Sequence, residues 1–135
     1  MPRPGGMRTA WLVAGALALS PLVSSMLWAH SVFDLDEWMD RIDDGNQDLQ
    51  RNIAARDQAS ALERARELEA LYGLMEKFFL DRGDSENAVR ISREGRTQAA
   101  AAVRHLNARQ FNAAQARALE IAHGCRGCHI EYKPL

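Results

Sequence analysis

Near one end of this 135-residue chain stand Cys125-Arg126-Gly127-Cys128-His129, which contain the only two cysteines in the sequence. Thiols at i and i+3 share one face of a helix. With a histidine directly after the second cysteine they make the C-x-x-C-H pattern of covalent haem attachment. At this spacing the two sulfurs suit addition to the two vinyl groups of one porphyrin, and His129 then supplies the proximal nitrogen for iron. Gly124 and Gly127 keep the backbone slim where a flat macrocycle has to approach. The cofactor expected is one covalent haem c, held by Cys125 and Cys128 and ligated through His129.

Other chemistries compete for the same residues. A Cys125–Cys128 disulfide suits an exported protein, and C-x-x-C is also a redox motif, but no strand–helix–strand pattern of the thioredoxin kind surrounds it. Zinc needs a fourth ligand, for which His123 is the nearest candidate, and consecutive Cys128-His129 fit a tetrahedral site poorly.

The elements that must position these residues follow from the rest of the chain. Residues 1–31 carry two of the 17 basic side chains and none of the 18 acidic ones, and an apolar run covers residues 10–19. Small residues at Ala29 and Ser31 complete the order of a secretory signal peptide. The rival reading is an uncleaved anchor, because no charge falls between Thr9 and Ala29. The expected organisation is a leader over 1–31 and one bundle over 32–135 with no membrane span of its own, in the periplasm after export. Without the leader the formal charge is -3, and the whole chain stands at -1, which lacks the basic footprint of a nucleic-acid binder.

All four prolines lie at positions 2, 4, 21 and 134, so nothing between them forces a helix to break. Long Ala/Leu/Glu/Arg/Gln stretches favour helix over strand. Capping patterns cut four helices: from Asp34 and Glu37 to about Arg56, from Ser60 and Glu63 to Gly83, from Asp84 or Ser85 to about Ala108, and from Asn112 and Gln115 to before Pro134. Leu35, Met39, Ile42, Asn46, Leu49 and Ile53 follow 4-3-4-3-4 spacing, a seam that faces a core. Comparable stripes run through Leu68, Leu71, Tyr72, Met75, Phe78 and Phe79, and through Ala118, Leu119, Ile121, Ala122 and Cys125. The expected fold is all-α, an antiparallel up-down four-helix bundle with haem attached near the C-terminus. Its core is rich in alanine and thin in larger apolar side chains, a deficit that a porphyrin would fill.

The leader, the four helices and the terminal Cys125-x-x-Cys128-His129-x-x-Tyr132-Lys133 together resemble the cytochrome c′ family of class II c-type cytochromes, which includes the low-spin c-556 type. The resemblance covers the whole chain after the leader in architecture, and in residues it is specific across 125–133. It implies a periplasmic haem protein with His129 proximal and Lys133 near the proximal face.

Function then turns on the opposite face of the iron. A methionine there suits electron transfer, whereas an open apolar pocket admits small gases. Met39 and Met75 both come to the haem level, and His105 lies too far along its helix. In the resembled family a ligating methionine comes from the first helix, which favours Met39. An open pocket would be lined by Trp38, Met39, Ile42, Phe78 and Phe79. Arg41, Arg82, Arg90 and Arg93 are candidates for the propionates. Residues 34–48 hold seven acidic side chains and one basic, which either steer a basic redox partner or simply form a solvated face. No polar His/Arg pair for peroxide cleavage can be picked out, so no enzyme activity is expected. The expectation is an electron-transfer protein that meets redox partner proteins, with a five-coordinate binder of NO or CO as the alternative. Homodimer formation is left open.

Overall fold

The computed structural model describes residue 1, residues 31–83 and residues 85–132, the side chains of 130–132 excepted. The leader segment and Lys133 therefore lie outside the described residues, apart from Met1 and Ser31. Four helices account for almost all of the rest: α1 (Val32–Ala54), α2 (Gln58–Arg82), α3 (Glu86–Asn107) and α4 (Phe111–Tyr132). There is no strand among the described residues. None of the described helices is long and apolar enough to cross a membrane.

Helix α3 starts at its expected Ser85 cap, whereas α1, α2 and α4 start earlier than the capping patterns suggested. Ser31 caps α1: its Oγ accepts the Asp34 N–H at 3.3 Å while Asp34 accepts the Ser31 N–H at 2.6 Å. The box is thus Ser31/Asp34 rather than Asp34/Glu37, and Ser31, grouped with the leader on sequence, serves the bundle. In α2 the cap is Asp57, which accepts the Ser60 N–H at 3.1 Å, so Ser60 is the third residue of the helix and not its cap. Helix α4 begins at Phe111, whose ring is buried under the Arg56 guanidinium, 5.5 Å from the ring centre. At the other end of α2, Gly83 takes φ 71° and closes the helix through its N–H to the Phe79 carbonyl.

Short connections join the helices into a four-helix bundle in which α1 packs on α2 and α4, and α3 packs on α2 and α4. Ties between helices include Arg41 to Glu67 at 2.7 Å and the Gln58 side-chain amide donating to the Leu106 carbonyl at 2.7 Å. Leu49, Leu68, Leu106 and Ile121 are almost wholly enclosed, interleaved with Ala61, Ala65, Ala88, Ala99, Ala102, Ala114 and Ala118. Alanine at so many facing positions lets the helices approach closely. The α1 seam is buried from Met39 to Ile53 as its spacing predicts, Asn46 included, with Leu35 half-buried at its start. Leu119, counted in the α4 stripe, instead faces outward, since the buried line of α4 runs through Ala114, Ala118 and Ile121.

Candidate functional site

The last turns of α4 bring Cys125, Cys128 and His129 to one pocket. The thiols at i and i+3 and the imidazole at i+4 all follow the same helical face. Both cysteines are free thiols, Cys125 half-buried and Cys128 buried. The other walls are Met39 and Ile42 from α1, Tyr72 and Met75 from α2, Ile91 from α3 and Gly124 from α4 itself. The pocket is a narrow, half-open cleft with a cavity volume of about 20 Å³, and no Asp, Glu, Lys or Arg lines it. A side chain added at Gly124 would meet nothing within 4 Å, so glycine leaves this wall low.

Both methionines considered on sequence grounds border this pocket, Met39 and Met75 alike. The expected wall is otherwise revised. Ile42 is present, but Trp38, Phe78 and Phe79 do not line the pocket. They form a buried aromatic cluster instead, with Trp38 and Phe78 edge-on at 6.3 Å and Phe78 and Phe79 edge-on at 5.2 Å. T-shaped contacts of this kind hold rings to one another, and their place on the pocket is taken by Tyr72, Met75 and Ile91. His105 lies in the last turn of α3, where its Nδ1 is 2.7 Å from the Gln110 side-chain oxygen, and it does not line the pocket.

The candidate propionate partners already have local roles. Arg41 pairs with Glu67 and Glu37, Arg90 with Glu94 and Asn87, and Arg82 lies over the Phe78 ring. Arg93 donates from Nε to Glu76 at 2.8 Å, and Arg96 reaches the second carboxylate oxygen at 3.0 Å. Glu76 is buried, a charge in the core that the helical stripe did not reveal. It is the residue after Met75, so this carboxylate and its two arginines sit at the level of the pocket on the α2–α3 side.

Sequence reasoning also missed the surroundings of Cys125. The hydroxyl of buried Tyr72 lies 3.7 Å from its sulfur. Burial pushes the Cys125 thiol above its ordinary value; the Tyr72 hydrogen bond opposes this, and the Asp43 carboxylate adds to it. Tyr72 itself is pushed well up, first by burial and then by the neighbouring sulfur. The available signals were a tyrosine in the α2 stripe and a glycine in the middle of α3, neither of which specifies a contact across helices. On the outer side a shallow groove is bounded by Asp43, Ala122, Cys125, Arg126 and His129, so the imidazole is exposed between α4 and the acidic face of α1. Among the described residues no group of three or more His, Cys, Asp or Glu side chains is arranged to hold a bare metal ion. Comparison of the chain with family models, with curated proteins and with solved structures gave no match.

Proposed function

We propose that this chain is an exported c-type cytochrome of the four-helix, antiparallel up-down kind. It would carry one haem c on Cys125 and Cys128 with His129 as the proximal iron ligand, and transfer electrons in the periplasm. One observation carries the reading: the two cysteines and the histidine of the C-x-x-C-H motif line a single pocket free of Asp, Glu, Lys and Arg that is also walled by two methionines. The residues fit the group by their chemistry. Two reduced thiols can form thioethers, an exposed imidazole can ligate iron, and Ile42, Ile91, Met39 and Met75 offer apolar surface to a macrocycle.

Bound there, haem c would supply one-electron cycling of iron. The chain's own part is to fix the macrocycle by two bonds, exclude water from the α1–α2 side, and leave the His129 edge accessible. Met39 is the candidate sixth ligand. It lies on α1 directly after the buried Trp38 and one turn beyond the half-buried Leu35, on a helix anchored by the Ser31 cap. The acidic residues of α1 beside the groove at His129 favour a basic redox partner. This makes the protein a carrier rather than an enzyme.

The alternative is a five-coordinate haem protein that binds NO or CO. The observation in its favour is the apolar pair Ile42 and Ile91 on the pocket wall, which offers no ligand atom. The test is expression of the full chain with a cytochrome c maturation system, followed by denaturing electrophoresis with haem stain and intact mass. Covalent haem that is absent from a Cys125→Ser/Cys128→Ser variant supports the reading, and a haem-free wild type overturns it. Addition of CO to the reduced protein separates the two functions: an unchanged spectrum supports electron transfer through a saturated iron, and a rapid change supports gas binding.

A further inference from the structure

Tyr72 is more elaborate than packing requires. Its ring is almost fully enclosed between α2, α3 and α4, and it occupies a notch that only glycine at position 95 can leave. A Cβ at that position would stand 2.3 Å from the ring's Cε1 and 2.5 Å from its Cζ, well inside van der Waals contact. The notch therefore admits the ring so far that its hydroxyl comes to 3.7 Å from Cys125 Sγ, the hydrogen-bond partner of that hydroxyl. A phenylalanine would fill the same space without bringing a polar group into the interior, where a hydroxyl without a partner is unfavourable. The hydroxyl has to be explained by the sulfur.

We propose that Tyr72, seated in the Gly95 notch, is a positioning residue that holds the Cys125 sulfur toward the pocket for thioether formation. The inference rests on the haem-attachment reading above. Of the two thiols, Cys128 is held by burial, whereas Cys125 is half-buried and borders both the inner pocket and the outer groove. Cys125 is the sulfur with a choice of direction, and the phenolic O–H, a stronger donor than a thiol, selects the inward one. In the attachment step the S–H bond and the π bond of a vinyl group are broken. A carbon–sulfur bond forms, and the thiol hydrogen ends on the other vinyl carbon. The addition consumes no oxidant or reductant. The thioether sulfur keeps lone pairs, so the same hydroxyl can donate to it afterwards.

The test compares wild-type and Tyr72→Phe full-length chains exported with the same maturation system. Each is purified, treated with iodoacetamide under denaturing conditions, and mapped by peptide mass, so that any Cys125 without a thioether is counted. The proposal expects two thioethers in the wild type, and in Tyr72→Phe a severalfold larger fraction attached through Cys128 alone. It also expects an unchanged helical circular-dichroism signal. Equal attachment at both cysteines in Tyr72→Phe overturns this inference and leaves the haem reading standing. Loss of helical signal in Tyr72→Phe overturns it as well, because the hydroxyl would then serve the fold. A wild type with no haem at all overturns the functional reading and this inference with it.

Discussion

Gly95→Ala sets helix propensity against packing, and the structure decides which wins. Alanine in a helix interior is favoured over glycine by about 1 kcal/mol. Here, however, the new Cβ would meet three Tyr72 ring atoms at 2.3, 2.5 and 2.6 Å, where carbon atoms prefer about 3.5–4.0 Å. The ring must retreat by more than about 1 Å to restore that spacing, and it is only 4% exposed, packed among α2, α3 and α4. Overpacking of a filled core costs about 1–3 kcal/mol, and loss of the hydroxyl–sulfur contact adds about 0.5–1.5 kcal/mol. The net expectation is a destabilisation of about 1–3 kcal/mol, or a fall of about 5–15 °C in Tm for a domain of this size. Urea unfolding followed by helical circular dichroism measures it. In a Tyr72→Leu background the obstruction is gone, so Gly95→Ala should there stabilise by about 1 kcal/mol. A Gly95→Ala protein more stable than wild type, or the same effect in both backgrounds, would refute the notch.

Four further outcomes are expected. Glu76→Gln should lower stability by about 1–2 kcal/mol in low salt, since it uncharges a buried carboxylate, and the half-exposed Arg93 and Arg96 temper the loss through solvation; a shift in urea midpoint equivalent to less than about 0.3 kcal/mol would speak against a working ion pair. The Asp57 carboxyl is held below its ordinary value by the Ser60 side chain and backbone, so its capping contribution is complete above about pH 4–5 and fades as acid protonates it; Asp57→Ala should reduce Tm at neutral pH and much less near pH 2, and a pH-independent reduction would contradict the cap. Burial raises the Cys125 thiol despite the opposing Tyr72 hydrogen bond, so the chain without thioethers should lose stability as alkali ionises that thiol, at about pH 9 and above; the haem-attached form, having no thiol there, should lack that alkaline loss in parallel urea titrations. Met39→Leu keeps the core volume and should convert a low-spin ferric spectrum to high-spin, while Met75→Leu should not; the reverse pattern would move the sixth ligand to α2.

The extent to which the chain could be read in advance follows from what kind of information each feature carries. The C-x-x-C-H motif and the α1 seam are local, each written in one helix, and both the seam's burial and the common face of Cys125, Cys128 and His129 are as their spacing dictates. The starts of α1 and α2 were displaced because acidic and hydroxyl residues recur three apart around them, so that Ser31/Asp34 competes with Asp34/Glu37 and Asp57/Ser60 with Ser60/Glu63. The winner at the second start is set by Arg56, whose φ of 56° turns the chain just before Asp57. What could not be read is the relative register of helices. That register puts Met75 rather than Phe78 on the pocket, sends Leu119 outward, brings Glu76 against two arginines, and seats Tyr72 in the space left by Gly95. Each of these contacts pairs residues on different helices, and no spacing within one helix records it.

The central claim is that Cys125 and Cys128 bind one haem covalently with His129 on its iron. Its most direct measurement is the intact mass of the full-length chain, expressed with a cytochrome c maturation system and denatured before analysis. The account predicts the mass of the chain plus one haem, with both sulfurs resistant to alkylation and His129→Ala abolishing the normal ferric spectrum. A chain at its polypeptide mass with both cysteines open to iodoacetamide would contradict it.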